Sequence, residues 1–215
     1  MHLYRWRIKH ESSTVARIAE NLKVEEKAIR VHKDAYRHRR CQYGATVLEK
    51  FAALLRAKAV RVVSVRPVGV GRDPLSVVSE AVRRRDLEDK GGDPFDAVWC
   101  VVDVDEHASL ERACIEASRS NIEIDISSPC FEIWLLWHFE SRTSWVDATA
   151  LVKLLQKRGF SGKNMPDEFP YQNYLEAMAR ASGCGEVKMK HAPPNPHSSV
   201  PALISALLQA YGRNP

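Results

Sequence analysis

Two aspartates one residue apart, Asp103 and Asp105, close the apolar run Ala97 to Val102. Strand residues two apart project from the same face. Two carboxylates leaving a strand side by side can hold one hard divalent cation, Mg2+ or Mn2+, which takes phosphate oxygens as further ligands. Such an ion activates water and offsets the charge that develops at phosphorus. This is phosphodiester chemistry, with Asp103 and Asp105 as candidate metal ligands and catalytic groups. Glu106 adjoins them, either as a third ligand or as a carboxylate at the start of the next helix. The same spacing also describes a solvent-facing acidic turn that caps that helix, and a D-x-D pattern alone does not decide between the two.

A second unusual stretch runs from Ser127 to Phe139. Glu132 and His138 are its acid–base side chains in an otherwise apolar decamer. A buried charge must be paired or neutralised, so both are secondary candidates for a functional environment. Six residues apart on a helix they stand roughly a third of a turn from sharing a face. The bland alternative is a satisfied core glutamate and a partly exposed histidine. Cys130 near the helix start is read as a small buried residue rather than a nucleophile. Gly69-x-Gly71 lies between a strand and a helix but lacks the third glycine and the lysine of phosphate loops, and a simple glycine turn explains it.

These residues need elements to position them. Ala97 to Val102 reads as a strand buried on both faces. Val60 to Val65 and Ile122 to Ile126 read as two more strands. Asp73-Pro74 is a capped helix start, with the helix running to about Arg85. Further helices are predicted over residues 14–35, 46–58, 107–120 and 130–139, and then 147–158, 171–182 and 199–211. The alternation of strand and helix predicts a parallel sheet with helices on both faces. The expected organisation is a basic helical segment over 1–45, an α/β core over 46–140 and a helical C-terminal extension over 141–215.

The chain has 215 residues, 45% of them hydrophobic and 27% charged, near globular averages. Its net charge of +5 sits in the first forty residues, which hold 11 Lys/Arg against 5 Asp/Glu; the rest balances 21 basic against 22 acidic groups. Arg37, Arg39 and Arg40 in that arm, with Lys163 and Lys188 near later loops, are candidate nucleic-acid contacts, although charge runs of this kind are more often solvated surface. Five cysteines, with no C-x-x-C pair, suggest neither a disulfide framework nor a zinc site. The start has no apolar core of a signal peptide, and no run approaches the roughly 20 apolar residues of a membrane span. A cytoplasmic protein with no membrane partner is expected.

Asp96 to His107 and Ser127 to Phe139 resemble the two signature blocks of RloB-like proteins, Asn195 to Val200 resembles that family's C-terminal Asn-Pro block, and Gly69 to Leu75 its glycine turn. The resemblance runs from about Thr46 to Tyr211. It implies a Toprim-related core, in which a D-x-D pair and one glutamate surround a divalent ion for nicking or joining nucleic acid. It also implies a place in bacterial restriction and phage-defence loci, of abortive-infection type, beside an AAA-type ATPase partner. Asp103 and Asp105 match the D-x-D positions. The family normally opens with a hydrophobic strand and a Glu-Gly turn; here the matching positions are Gln42 and Tyr43, and no first strand or glutamate is found. Glutamine is a neutral amide that cannot serve as a base. The resemblance therefore implies either a nuclease site impaired by that loss, one in which Glu49 substitutes from a shifted position, or a catalytically inert binding subunit of an ATPase-containing complex.

Overall fold

The computed structural model describes residues 2–8, 43–56, 63–65, 68–69, 73–92, 94–104, 109–161, 164–184 and 193–210. The elements in chain order are β1 (His2–Ile8), α1 (Tyr43–Arg56), β2 (Val63–Val65), β3 (Val68–Gly69), α2 (Pro74–Lys90), β4 (Ala97–Asp103), α3 (Leu110–Arg119), β5 (Glu123–Ser128), α4 (Glu132–Trp137), α5 (Ala148–Gln156), a 3-10 turn (Tyr171–Asn173), α6 (Tyr174–Ser182), β6 (His197–Ser198) and α7 (Val200–Ala210).

The strands form a six-stranded sheet in the order β2-β1-β4-β5-β6, with β3 also pairing with β1. Two expectations are corrected here. The sheet is mixed rather than parallel: β4 and β5 are parallel, while β1 runs antiparallel to β4 and β6 antiparallel to β5. The N-terminal segment is not wholly helical and does contain a strand, since His2–Ile8 lies along β4 with His2 opposite Val101 and Trp6 opposite Ala97. The helix expected over 14–35 lies outside the described residues.

The apolar run of β4 is buried on both faces, as its composition demands. Trp99 and Val101 join a cluster with Phe51 of α1, Trp134 of α4, Leu151 of α5, Ala177 of α6 and Leu203 of α7. Val98, Cys100 and Val102 join a second cluster with Val77 and Ala81 of α2 and Ala113 and Ala117 of α3. Helices therefore cover both faces of the sheet.

Asp73 caps α2 as its sequence predicts, with Oδ1 accepting from Ser76 N at 3.3 Å and Oδ2 from the Ser76 hydroxyl at 2.5 Å. The Ser109 hydroxyl, at the start of α3, also reaches Asp73 Oδ1 at 3.3 Å, which ties the beginnings of the two helices together. The helix runs past the expected Arg85 to Lys90, with Glu80 pairing with Arg83 and Arg84 along it. The predicted strand at 122–126 reaches Ser128, because β6 pairs with its last two residues.

Candidate functional site

Alternation along β4 aims Asp103 at the α4 side of the sheet, the face shared by Trp99 and Val101. Asp103 is 5% exposed, and the backbone N–H of Phe131 donates to its Oδ1 at 2.8 Å. Its strand neighbour is Ser127 of β5, and Val104 N continues the ladder to the Ser127 carbonyl at 2.7 Å. The pairing of β1 with β4 begins at His2 opposite Val101, so Asp103 stands beyond it.

The residue after Phe131 is Glu132, the first residue of α4, which is 6% exposed. Burial pushes its carboxyl up to about 7, and the nearby negative charge of Asp103 adds to the shift; the Cys130 thiol and the residue's own N–H act in the opposite direction. Glu132 Oε2 has no hydrogen-bond partner. The fold has thus brought two buried carboxylates together from positions 29 residues apart in sequence. In the sequence they belonged to separate motifs.

Asp105 and Glu106 lie outside the described residues, as do Arg37, Arg39, Arg40, Lys163 and Lys188. Glu49 sits on the exposed side of α1, and partial desolvation raises its carboxyl. Among the described residues, no group of three or more His, Cys, Asp or Glu side chains is arranged to hold a metal ion.

The structure places His138 apart from Asp103 and Glu132. Along α4 it lies about 9 Å from Glu132 at 1.5 Å per residue. It is 2% exposed and its Nδ1 lies 3.0 Å from the Trp134 carbonyl, so that nitrogen carries the proton and donates. Its ring meets Trp134 edge-on and lies tilted against Phe169, both at 4.8 Å. Burial lowers its pKa to about 4, so the ring is neutral. The carbonyls at this end of α4 are covered as well: Arg180 donates to Trp137 O, and Asn173 Nδ2 donates to His138 O at 3.1 Å.

Sequence reasoning missed the polar residues of β5 and β6. Asp125 is 1% exposed and its carboxyl is held well above the usual range by burial, which the Ser199 hydroxyl eases and Glu123 reinforces. Neither of its oxygens makes a well-formed hydrogen bond. The Ser127 and Ser198 hydroxyls bond each other at 2.9 Å. In the sequence, Glu123, Asp125 and Ser127 look like the wet face of a half-exposed strand. Glu123 is exposed, but Asp125 and Ser127 are buried, at the end of the strand where β6 pairs with Ser127 and Ser128 and Ser199 bonds Ile126.

A family model described as RloB-like protein matches residues 18–207. The chain belongs to the RloB-like family. The match begins well before Thr46, where the resemblance was expected to start, and β1 lies ahead of it. In this RloB-like chain the position beside β4 is therefore filled by a strand from outside the matched region. No curated protein matches the chain, and no solved structure does. No helix among the described residues is long and apolar enough to cross a membrane.

Proposed function

We propose that this RloB-like chain is a divalent-metal nuclease of Toprim type acting in bacterial phage defence, with the strand end at Asp103-x-Asp105 as its metal site. The observation that carries the reading is the buried Asp103 carboxylate beside a second buried carboxylate at the carboxyl end of β4. Ligands of open α/β sheets bind at that edge, and the parallel β4–β5 pair that frames it is the part of the sheet this reading needs. The donor set fits a hard cation. Asp103 is a buried carboxylate at this edge, and oxygen ligands are what Mg2+ or Mn2+ take. Bound there by Asp103 and Asp105, with Glu106 assisting, the ion would supply an activated water and neutralise charge on phosphate. The chain's own contribution is orientation: the Phe131 N–H fixes Asp103 Oδ1.

The test is Mg2+-dependent cleavage of plasmid DNA and of RNA by the wild type and by Asp103→Ala and Asp105→Ala variants. Cleavage by the wild type that the variants lose supports the reading; equal activity in all three removes it.

A second reading, a catalytically inert subunit held by an AAA-type ATPase, is favoured by one observation: His2–Ile8 beside β4 contains no carboxylate. Co-purification with such an ATPase, together with no cleavage by the wild type, would support it.

A further inference from the structure

The family resemblance expects an acid from a first strand, and the strand that fills the position beside β4 has the sequence HLYRWRI, without one. Glu132 enters the same region from the other side, on the first turn of α4. We propose that Glu132 is the missing acid: with Asp103 it ligates the divalent cation, through Oε2. The assignment rests on the metal-site reading above and goes further by naming the residue that replaces the absent strand glutamate.

Three features carry it. Oε2 is buried and has no partner, and a buried polar atom left in that state needs an explanation. The backbone N–H of Phe131, the residue before Glu132, donates to Asp103 Oδ1 at 2.8 Å, so the start of α4 sets two buried carboxylates close to one another, where like charges are costly unless a cation or a proton lies between them. The position is also rigid. Ile133 to Trp137 are at most 1% exposed. The start of α4 is tied to Asp103 through Phe131 N, and its end is tied by Arg180 and Asn173. A ligand on such an element is held in place before the ion arrives, which is what a tight site requires.

The test uses the purified full chain and MnCl2 alone, with free Mn2+ followed by electron paramagnetic resonance and thermal melting recorded with and without the ion. Wild type should bind Mn2+ and melt higher in its presence. Loss of an outer-shell partner already costs about 10- to 100-fold in metal affinity, so removing a direct ligand by Glu132→Gln should weaken binding by roughly a hundredfold and abolish the melting shift. Glu132→Asp, which keeps the charge, should restore part of both, and it also serves if the glutamine variant fails to fold. If Glu132→Gln binds Mn2+ like wild type while Asp103→Asn does not, Glu132 is not a ligand and the metal site stands without it. If wild type itself binds no Mn2+, a shared proton rather than a cation occupies the space, and the metal-site reading falls together with this one.

Discussion

His138 offers a quantitative test of how dry the far end of α4 is. In the folded chain its pKa is about 4, against 6.5 for an ordinary histidine. The cause is burial; the Arg180 charge adds to the lowering, while the Trp134 carbonyl and Glu176 oppose it. The sign follows from linkage. As pH falls below 6.5 the unfolded chain takes up a proton that the folded chain refuses until about pH 4, so stability is lost across that window. A shift from 6.5 to about 4 corresponds to a full loss of about 3 kcal/mol below pH 4, of which about 2 kcal/mol has gone by pH 5. His138→Asn removes the titration and keeps an N–H that can donate to the Trp134 carbonyl. The variant loses the ring contacts with Trp134 and Phe169, a cost that does not depend on pH. Urea unfolding of both proteins, followed by tryptophan fluorescence at pH 7 and pH 5, should show the wild-type advantage shrinking by about 2 kcal/mol. An advantage that is the same at both pH values would mean that His138 titrates in contact with water, and the argument for a sealed α4 would fail.

Asp125 should behave in the opposite sense. Its folded pKa is raised, so the wild type loses stability as pH rises above 3.8, and Asp125→Asn should be the more stable protein at pH 8, with the difference fading toward pH 4 in the same urea assay. Arg180→Ala leaves the Trp137 carbonyl without its donor; with the helix end buried, the expected loss is about 1–3 kcal/mol, read as a lower melting temperature. Asp73→Ala removes the cap of α2 and the link to Ser109, and should cost about 1–2 kcal/mol by chemical unfolding.

What could be read in the sequence was local. The β4 run, the Asp73-Pro74 helix start and the apolar α4 segment each carry their signal within a few residues, and each is found where that signal puts it. The strand at His2–Ile8 was legible in principle, since Tyr4, Trp6 and Ile8 alternate with Arg5 and Arg7 at the period of a strand; the basic charge of the whole arm masked that period. Its antiparallel entry beside β4 could not be read, because strand–helix alternation says nothing about where a distant segment joins the sheet. β6 has two residues, too few for any periodicity, and exists because β5 offers it an edge. Asp125 is buried toward the end of β5 where that late strand pairs, so a window around residue 125 cannot predict it.

The two acid–base residues of α4 show why a polar residue in an apolar run is an ambiguous signal until its partners are known. From sequence, Glu132 and His138 have equal standing. In the fold His138 is satisfied: Nδ1 donates to Trp134 O, the ring packs between aromatic neighbours and its charge is suppressed. Glu132 keeps an oxygen with no partner and faces a like charge. Evolution of a purely structural core would be expected to fill such a position with an apolar side chain of similar volume, since replacing buried charged groups in that way is often neutral or stabilising. A satisfied buried polar group stiffens its surroundings, whereas an unsatisfied one needs an explanation, of which a bound ion is one. On that reasoning the His138→Asn protein should bind Mn2+ as wild type does, and the two ends of one short helix should separate cleanly into a structural end and a ligand-binding end.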